Sequence, residues 1–278
     1  AVMNGHLTMG VFTYLLQYFA MMLNTVEQFF NIGTAYQEYQ ASKMRLIEVL
    51  SMEKDDEGDK ILDRIERIEL VGLNYRHEEE SENLYEDNVD ATFVSGNLTH
   101  ILGENGVGKS TILLCILGIY RNRQVSGEIK FNGTAASELN MSTLRKNNFS
   151  FMLQHPISFE GTVSEYMQSL LTEQEIQQVQ DNRDFNQVFV HPQFDLNQIM
   201  EQEYDRLSGG EKQLLNLFVC LAKNASVYLL DEPTANVFPK MKESILSLLQ
   251  KKADAGNIVI VVTHDHNMLS AGTTYTLR

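Results

Sequence analysis

Basic residues are scarce in this chain of 278. Lys and Arg number 22 against 37 Asp and Glu, for a net charge of −15 and a pI of about 4.9. So acidic a balance repels a phosphate backbone and excludes nucleic acid as the main partner. Cysteine is nearly absent. Cys115 and Cys220 stand far apart inside apolar helical runs and match no metal-ligand spacing, so they read as small buried hydrophobes. The chain opens on Ala1 without an initiator Met, a basic n-region or a small-residue cleavage site. That pattern offers no signal peptide and reads instead as a piece of a longer protein. Apolar residues are not lacking: at 43% they support a sizeable core and argue against global disorder.

Charge of either sign is missing from Ala1 to Val26, and between Met9 and Leu23 the clearly polar side chains are Thr13 and Gln17. An uncharged, helix-compatible stretch of this length can cross a hydrocarbon core of roughly 30 Å. Tyr14, Gln17, Tyr18, Asn24 and Thr25 weaken its hydropathy, as in a helix that lines a polar path. The competing reading is an amphipathic helix buried in a soluble domain. Phe29 to Leu50 keeps helical character while Glu38, Lys43, Arg45 and Glu48 return, as in a membrane helix running on beyond the bilayer. The run Glu53 to Lys60 is charged, carries Gly58 and has no apolar period. The expected organisation is therefore 1–52 helical segment, 53–61 linker and 62–278 globular domain.

Gly103-Glu104-Asn105-Gly106-Val107-Gly108-Lys109-Ser110-Thr111 fits G-x-x-x-x-G-K-[ST]. Leu98 to Leu102 before it reads as a short buried strand, and Ile112 to Leu117 after it as the start of a helix. In that setting the glycines let backbone N–H groups converge on phosphates. The helix dipole and Lys109 add positive potential, and Ser110 can ligate Mg²⁺.

Further strands are expected at Ile65 to Tyr75, Ser126 to Gly133, Asn148 to Leu153, Ser226 to Leu230, Asn257 to Val262 and Thr273 to Leu277. His77 to Asp90 reads as a solvated acidic loop, and Thr162 to Glu203 as a polar helical region interrupted near His191-Pro192. Apolar strands alternating with helices imply a mainly parallel sheet covered on both faces. One strand ends in Asp231-Glu232, two carboxylates suited to holding Mg²⁺ and to polarising a water. Leu207-Ser208-Gly209-Gly210-Glu211 opens a second helix and offers a second phosphate site. Thr263-His264-Asp265 places an imidazole at another strand end.

In this order the pieces resemble the ATP-binding domain of ABC transporters over about residues 62–278. The resemblance implies a P-loop cassette fold: a mainly parallel sheet, an antiparallel β subdomain and a helical subdomain, here preceded by a long N-terminal helix. It implies ATP and Mg²⁺ at Asn105, Gly106, Gly108, Lys109, Ser110 and Thr111, with Asp231, Ser110 and Gln154 toward the metal. Glu232 would act on the attacking water, with His264, Gln154 and Lys109 at the γ-phosphate and Tyr75 stacking on adenine. A second cassette would offer its own Ser208, Gly209 and Gly210 across a head-to-tail dimer.

Phe151 to Pro156 followed by Phe159-Glu160-Gly161-Thr162-Val163 resembles the exporter subtype, as do Leu7-Thr8-Met9-Gly10 and Ala41 to Leu46 around the leading helix. Ala1 would then precede the last of six membrane helices, and Arg278 would precede the family's last hairpin and helix. The expected setting is a cell membrane with the cassette on the cytoplasmic side, a transmembrane domain as partner and an exported cargo left open, with peptide the class the subtype suggests. Phe238 replaces the usual D-loop Asp, and Leu214 and Val219 stand where arginines are common. The alternatives are a soluble ABC-type ATPase, an importer cassette and a regulatory ATP-binding subunit.

Overall fold

The computed structural model describes residues 10–24, 26, 40, 43, 58–77, 82–120, 124–154, 158–180, 182–191, 194–235, 237, 239–264 and 272–277. They fall into two compact units, 1–55 and 56–278. In the first unit, helix α1 (10–24) exposes a broad face of large apolar side chains: Tyr14, Leu15, Leu16, Tyr18 and Phe19 are all more than half exposed. Successive helical residues are about 100° apart, so these five cover an arc of about 200°, and Gly10, Thr13, Gln17, Ala20 and Asn24 share the remaining side. Among the described residues no helix is both long and apolar enough to cross a membrane. Most of the segment 25–52, and residues 1–9, lie outside the described residues.

The second unit holds two larger sheets. A parallel sheet runs in the order β11 (Thr273–Thr276), β3 (Leu98–Leu102), β10 (Ile258–Val262), β9 (Val227–Asp231), β6 (Phe149–Met152). Period-2 side chains divide its two faces cleanly. Tyr228, Leu230, Val259 and Val261 enter one core with α4 (Val163–Leu170), α8 (Gly209–Ala222) and α9 (Pro239–Asp254). Val227, Leu229, Ile258, Ile260 and Val262 enter the other. That second core is closed by α2 (Lys109–Ile116), α3 (Met141–Asn148) and the antiparallel sheet of β1 (Arg67–Tyr75), β2 (Val89–Val94), β4 (Val125–Phe131) and β5 (Thr134–Ala135). Burial on both faces explains why β9 and β10 are almost continuously apolar.

In β1 a bulge between Leu70 and Leu73 places Gly72 at φ 60. The opposing Gly127 lies so close that a Cβ there would meet the Gly72 carbonyl oxygen at 2.3 Å.

The expected Asn148–Leu153 strand begins one residue later, because Asn148 closes α3. The polar helical region resolves into α4, α5 (Glu173–Gln180) and α6 (Arg183–Phe189), then a short hairpin of β7 (Val190–His191) and β8 (Phe194–Asp195), then α7 (Leu196–Ile199). Aromatic packing supplies its core: Phe185 and Phe189 both meet Phe218 of α8 edge-on. The acidic segment 77–90 is not wholly solvated, since Tyr85 is 1% exposed. Leu214 and Val219, at positions where arginines were the comparison, are both buried in the helical core.

Candidate functional site

Strands β3, β6, β9 and β10 all point their carboxyl ends the same way, where ligands of open α/β sheets sit. The loops that follow them line one open cleft of about 450 Å³. It takes Asn105, Gly106, Gly108, Lys109, Ser110 and Thr111 from the first, Gln154 from the second, Asp231 and Glu232 from the third and His264 from the fourth. The volume lies within the range of small-molecule sites, roughly 300–1,000 Å³.

The P-loop conformation follows from its glycines. Gly106 and Gly108 have φ 86 and 91, left-handed values that a side chain resists. Gly108 is also sterically closed: a Cβ would lie 2.5 Å from Leu84 Cδ2 and 2.9 Å from Tyr85 Cε1. The loop delivers the chain into α2, whose N-terminus has no side-chain cap and no acidic residue in its first turn. By contrast α3, α4, α6 and α8 are all capped by side chains. The first N–H groups of α2 and its positive dipole end are thus left for an anion. Lys109 is 7% exposed, and its Nζ donates to the carbonyls of Gly103 at 2.9 Å and Glu104 at 2.8 Å. The ammonium is thereby held over the loop that phosphates would enter.

Asp231, 3% exposed, ends β9, and Glu232 follows at φ 52. A left-handed non-glycine residue costs about 1–2 kcal/mol and persists where surroundings over-determine it. Here Glu232 N–H donates to Val262 O at 2.9 Å, and Glu232 Oε1 lies 2.7 Å from His264 Nδ1. An ionised carboxylate only accepts, so Nδ1 is the donor of that pair. A neutral ring then presents Nε2 as an acceptor. His264 can donate to a phosphate oxygen only as imidazolium or after leaving Glu232.

Two groups of sequence-derived site residues lie elsewhere. Ser208, Gly209 and Gly210 do not line the cleft. They begin α8, where Ser208 N–H and Oγ–H donate to Glu211 Oε2 at 2.8 and 2.7 Å while Glu211 N–H donates to Ser208 Oγ at 3.3 Å, a complete capping box. Nor does the structure bring Tyr75 to the cleft. Its ring is 2% exposed, 4.7 Å from Tyr120 and edge-on to His77 at 5.2 Å. Burial, then the neighbouring Tyr120, raises its pKa. Asn236 and Phe238 of the D-loop lie outside the described residues.

Sequence reasoning missed Tyr85. Its hydroxyl donates to Gly108 O at 2.8 Å, and its backbone is held by Asn74, whose Nδ2 donates to Tyr85 O at 3.0 Å. The signal was two apolar residues, Leu84 and Tyr85, inside an acidic loop. What they face, the last glycine of the P-loop, had no local signature. Both cysteines are buried, with thiols pushed up to about 12 at Cys115 and about 11 at Cys220 by desolvation.

The ABC transporter family model matches residues 86–235, more than half of the chain. The chain belongs to the ABC transporter family. This ABC cassette binds and hydrolyses ATP, and the cleft described above is where its P-loop lies. It is 30% identical over 201 residues to the energy-coupling factor transporter ATP-binding protein EcfA1 of Staphylococcus aureus, a match covering 71% of this chain and 72% of that one. A 24% identity over 269 residues relates it to the serine protease/ABC transporter B family protein tagA of Dictyostelium discoideum, covering 95% of this chain but 15% of that one.

Among solved structures, a bacterial Atm1-family ABC exporter with ATP bound superposes with a TM-score of 0.69 at 16% identity. That match covers 98% of this chain and 48% of that chain. An ATP binding subunit of an ABC transporter superposes at 0.64 and 20% identity, covering 76% of this chain and 85% of that one. At such identities these two likenesses concern the fold. The chain thus spans less than half of the exporter polypeptide it resembles.

Proposed function

We propose that this chain is the ATP-driven part of an exporter, in which closure of two cassettes moves membrane helices and hydrolysis releases them. The observation that carries the reading is α1, an uncharged helix with a broad exposed apolar face and a polar stripe, joined in sequence to the cassette. An exporter fold matching along 98% of the chain supports it, as does the similarity to tagA along 95%. In this reading 1–52 belongs to the transmembrane domain, 53–61 is the linker and 62–278 is the cassette. The parent sits in the cell membrane with the cassette facing the cytoplasm. Among cargo classes, peptide is the one to which the exporter subtype points.

At the cleft, the N-terminus of α2 with Lys109, Asn105, Gly106, Gly108 and Thr111 binds the phosphates. Ser110, Gln154 and Asp231 fit Mg²⁺, a hard cation that takes few protein oxygens beside phosphate; among the described residues no cluster of three or more His, Cys, Asp or Glu competes as a metal site. Bound there, Mg²⁺ would neutralise phosphate charge. Glu232 accepts a proton from the attacking water as the bond to the γ-phosphorus forms and the bond to ADP breaks. His264 and Gln154 hold the γ-phosphate. The second cassette completes the site with its Ser208, Gly209 and Gly210, and Glu211 must release the Ser208 hydroxyl for this. Adenine would stack on Tyr75 once that ring turns out from Tyr120. An apolar groove of about 190 Å³ beside the Gln154 loop, where Phe151 and Leu170 are 42% and 48% exposed, seats a helix of the transmembrane domain.

The test is extraction of the full-length polypeptide from membranes. The exporter reading expects it to resist carbonate and yield to detergent; a fully carbonate-extractable protein overturns it. The second reading, a peripheral importer cassette, is favoured by the 30% identity to EcfA1, and it predicts the carbonate-extractable outcome.

A further inference from the structure

Gln213 stands in the first half of α8, downstream of Ser208, and its side-chain Nε2 donates to the Glu232 main-chain carbonyl at 2.8 Å. The acceptor is a carbonyl, so the amide nitrogen must face it, and the direction of this bond is unambiguous. The same carbonyl accepts the Ala235 N–H at 3.1 Å, while Glu232 N–H donates to Val262 O at 2.9 Å. Among the described residues Asn132 and Glu232 are the non-glycine residues with positive φ. A peptide in that region needs its surroundings to hold it. Of the three bonds around the Glu232 peptide, two are main-chain bonds of the strand end and its turn. The third comes from a side chain on a different element.

We propose that Gln213 is a positioning residue for Glu232 and the mechanical link between the two ends of the composite ATP site. It holds the left-handed peptide that aims the Glu232 carboxylate, and it rides on the helix whose N-terminus carries Ser208 and Gly210. A shift of α8 when that N-terminus engages the partner's nucleotide is passed through Gln213 to the residue that hydrolyses this cassette's own ATP. Each site thereby senses whether the other is filled. The inference rests on the proposed roles of Glu232 as base and of Ser208 as a cross-dimer ligand.

The experiment is ATP hydrolysis by the assembled transporter, with thermal midpoints measured in parallel. Gln213→Glu keeps the shape but has no N–H to donate, and Gln213→Leu removes polarity altogether. Both should lower kcat by about 10–100-fold, as expected for a slightly misplaced catalytic group, while KM for ATP and the thermal midpoint stay near wild type. Gln213→Lys retains a donor and should recover part of kcat. A purely structural role would lower kcat and the midpoint together and would show no rescue by Lys. Either that pattern or a wild-type kcat in Gln213→Glu and Gln213→Leu overturns the proposal. Glu232→Gln separates the two layers: if it hydrolyses ATP normally, the reading of Glu232 as base fails. If it is inactive while Gln213→Leu is normal, the link through Gln213 alone fails.

Discussion

Replacing Tyr85 by Phe removes one oxygen from beneath the P-loop and leaves the packing of a fully buried ring in place. The lost bond is the 2.8 Å donation from the Tyr85 hydroxyl to Gly108 O. That carbonyl still accepts the Ile112 N–H at 3.2 Å, so it is not stranded. The cost should therefore lie near the mean for one intramolecular bond, about 1 kcal/mol, rather than the roughly 1–3 kcal/mol of an unsatisfied buried group. In a body of this size that is a fall of about 2–4 °C in Tm. If the bond also holds the loop in its phosphate-binding shape, ATP affinity drops by up to about fivefold.

Tyr85→Ala is the contrast. It empties a site that is 1% exposed and leaves Leu84 and Asn74 without their neighbour, so it should cost about 3–5 kcal/mol. Differential scanning fluorimetry and titration with a fluorescent ATP analogue measure both quantities. A Tyr85→Phe protein with wild-type Tm and wild-type ATP affinity would refute the argument that this hydroxyl supports the P-loop.

Glu232→Gln preserves an acceptor for His264 Nδ1 while removing the carboxylate proposed as base; turnover should fall by at least about 100-fold with ATP binding intact, and size-exclusion chromatography in ATP should show a trapped cassette dimer. Lys109→Ala deletes an ammonium aimed into the cleft and should weaken ATP binding by about 2–3 kcal/mol, read by the same fluorescent titration; unchanged affinity would remove Lys109 from the phosphate site. The cysteines give a pH test. With folded pKa values of about 12 at Cys115 and about 11 at Cys220 against an ordinary 9.0, the unfolded chain loses these protons first. Their contribution is complete below pH 9 and disappears as pH rises toward the folded values, at about 1.4 kcal/mol per unit for each thiol. Urea unfolding at pH 8 and pH 10 should show the loss, and Cys115→Ala should flatten the slope.

Composition and motif order carried much of this protein in one dimension. Gly103 to Thr111 between an apolar strand and a helix defined a phosphate loop because the chemistry of such a loop is local: glycines for left-handed turns, Lys109 for charge, a helix N-terminus for dipole. Asp231-Glu232 and His264 were legible for the same reason, each closing a continuous apolar strand. Side chains that act across the fold were not. Tyr85 reads as one aromatic in an acidic loop, and Gln213 as one polar residue on a helix. Their partners, Gly108 and Glu232, lie 23 and 19 residues away and meet them only through sheet order and helix packing.

Tyr75 shows the converse. The resemblance to ABC cassettes suggested an adenine platform there, while the packing of Tyr120 and His77 decided that the ring is buried. Backbone conformation and charge at the phosphate loop follow from residue type and neighbours in sequence. Which side chain holds Glu232 or supports the loop follows from which elements the two cores press together, and that was settled by tertiary structure alone.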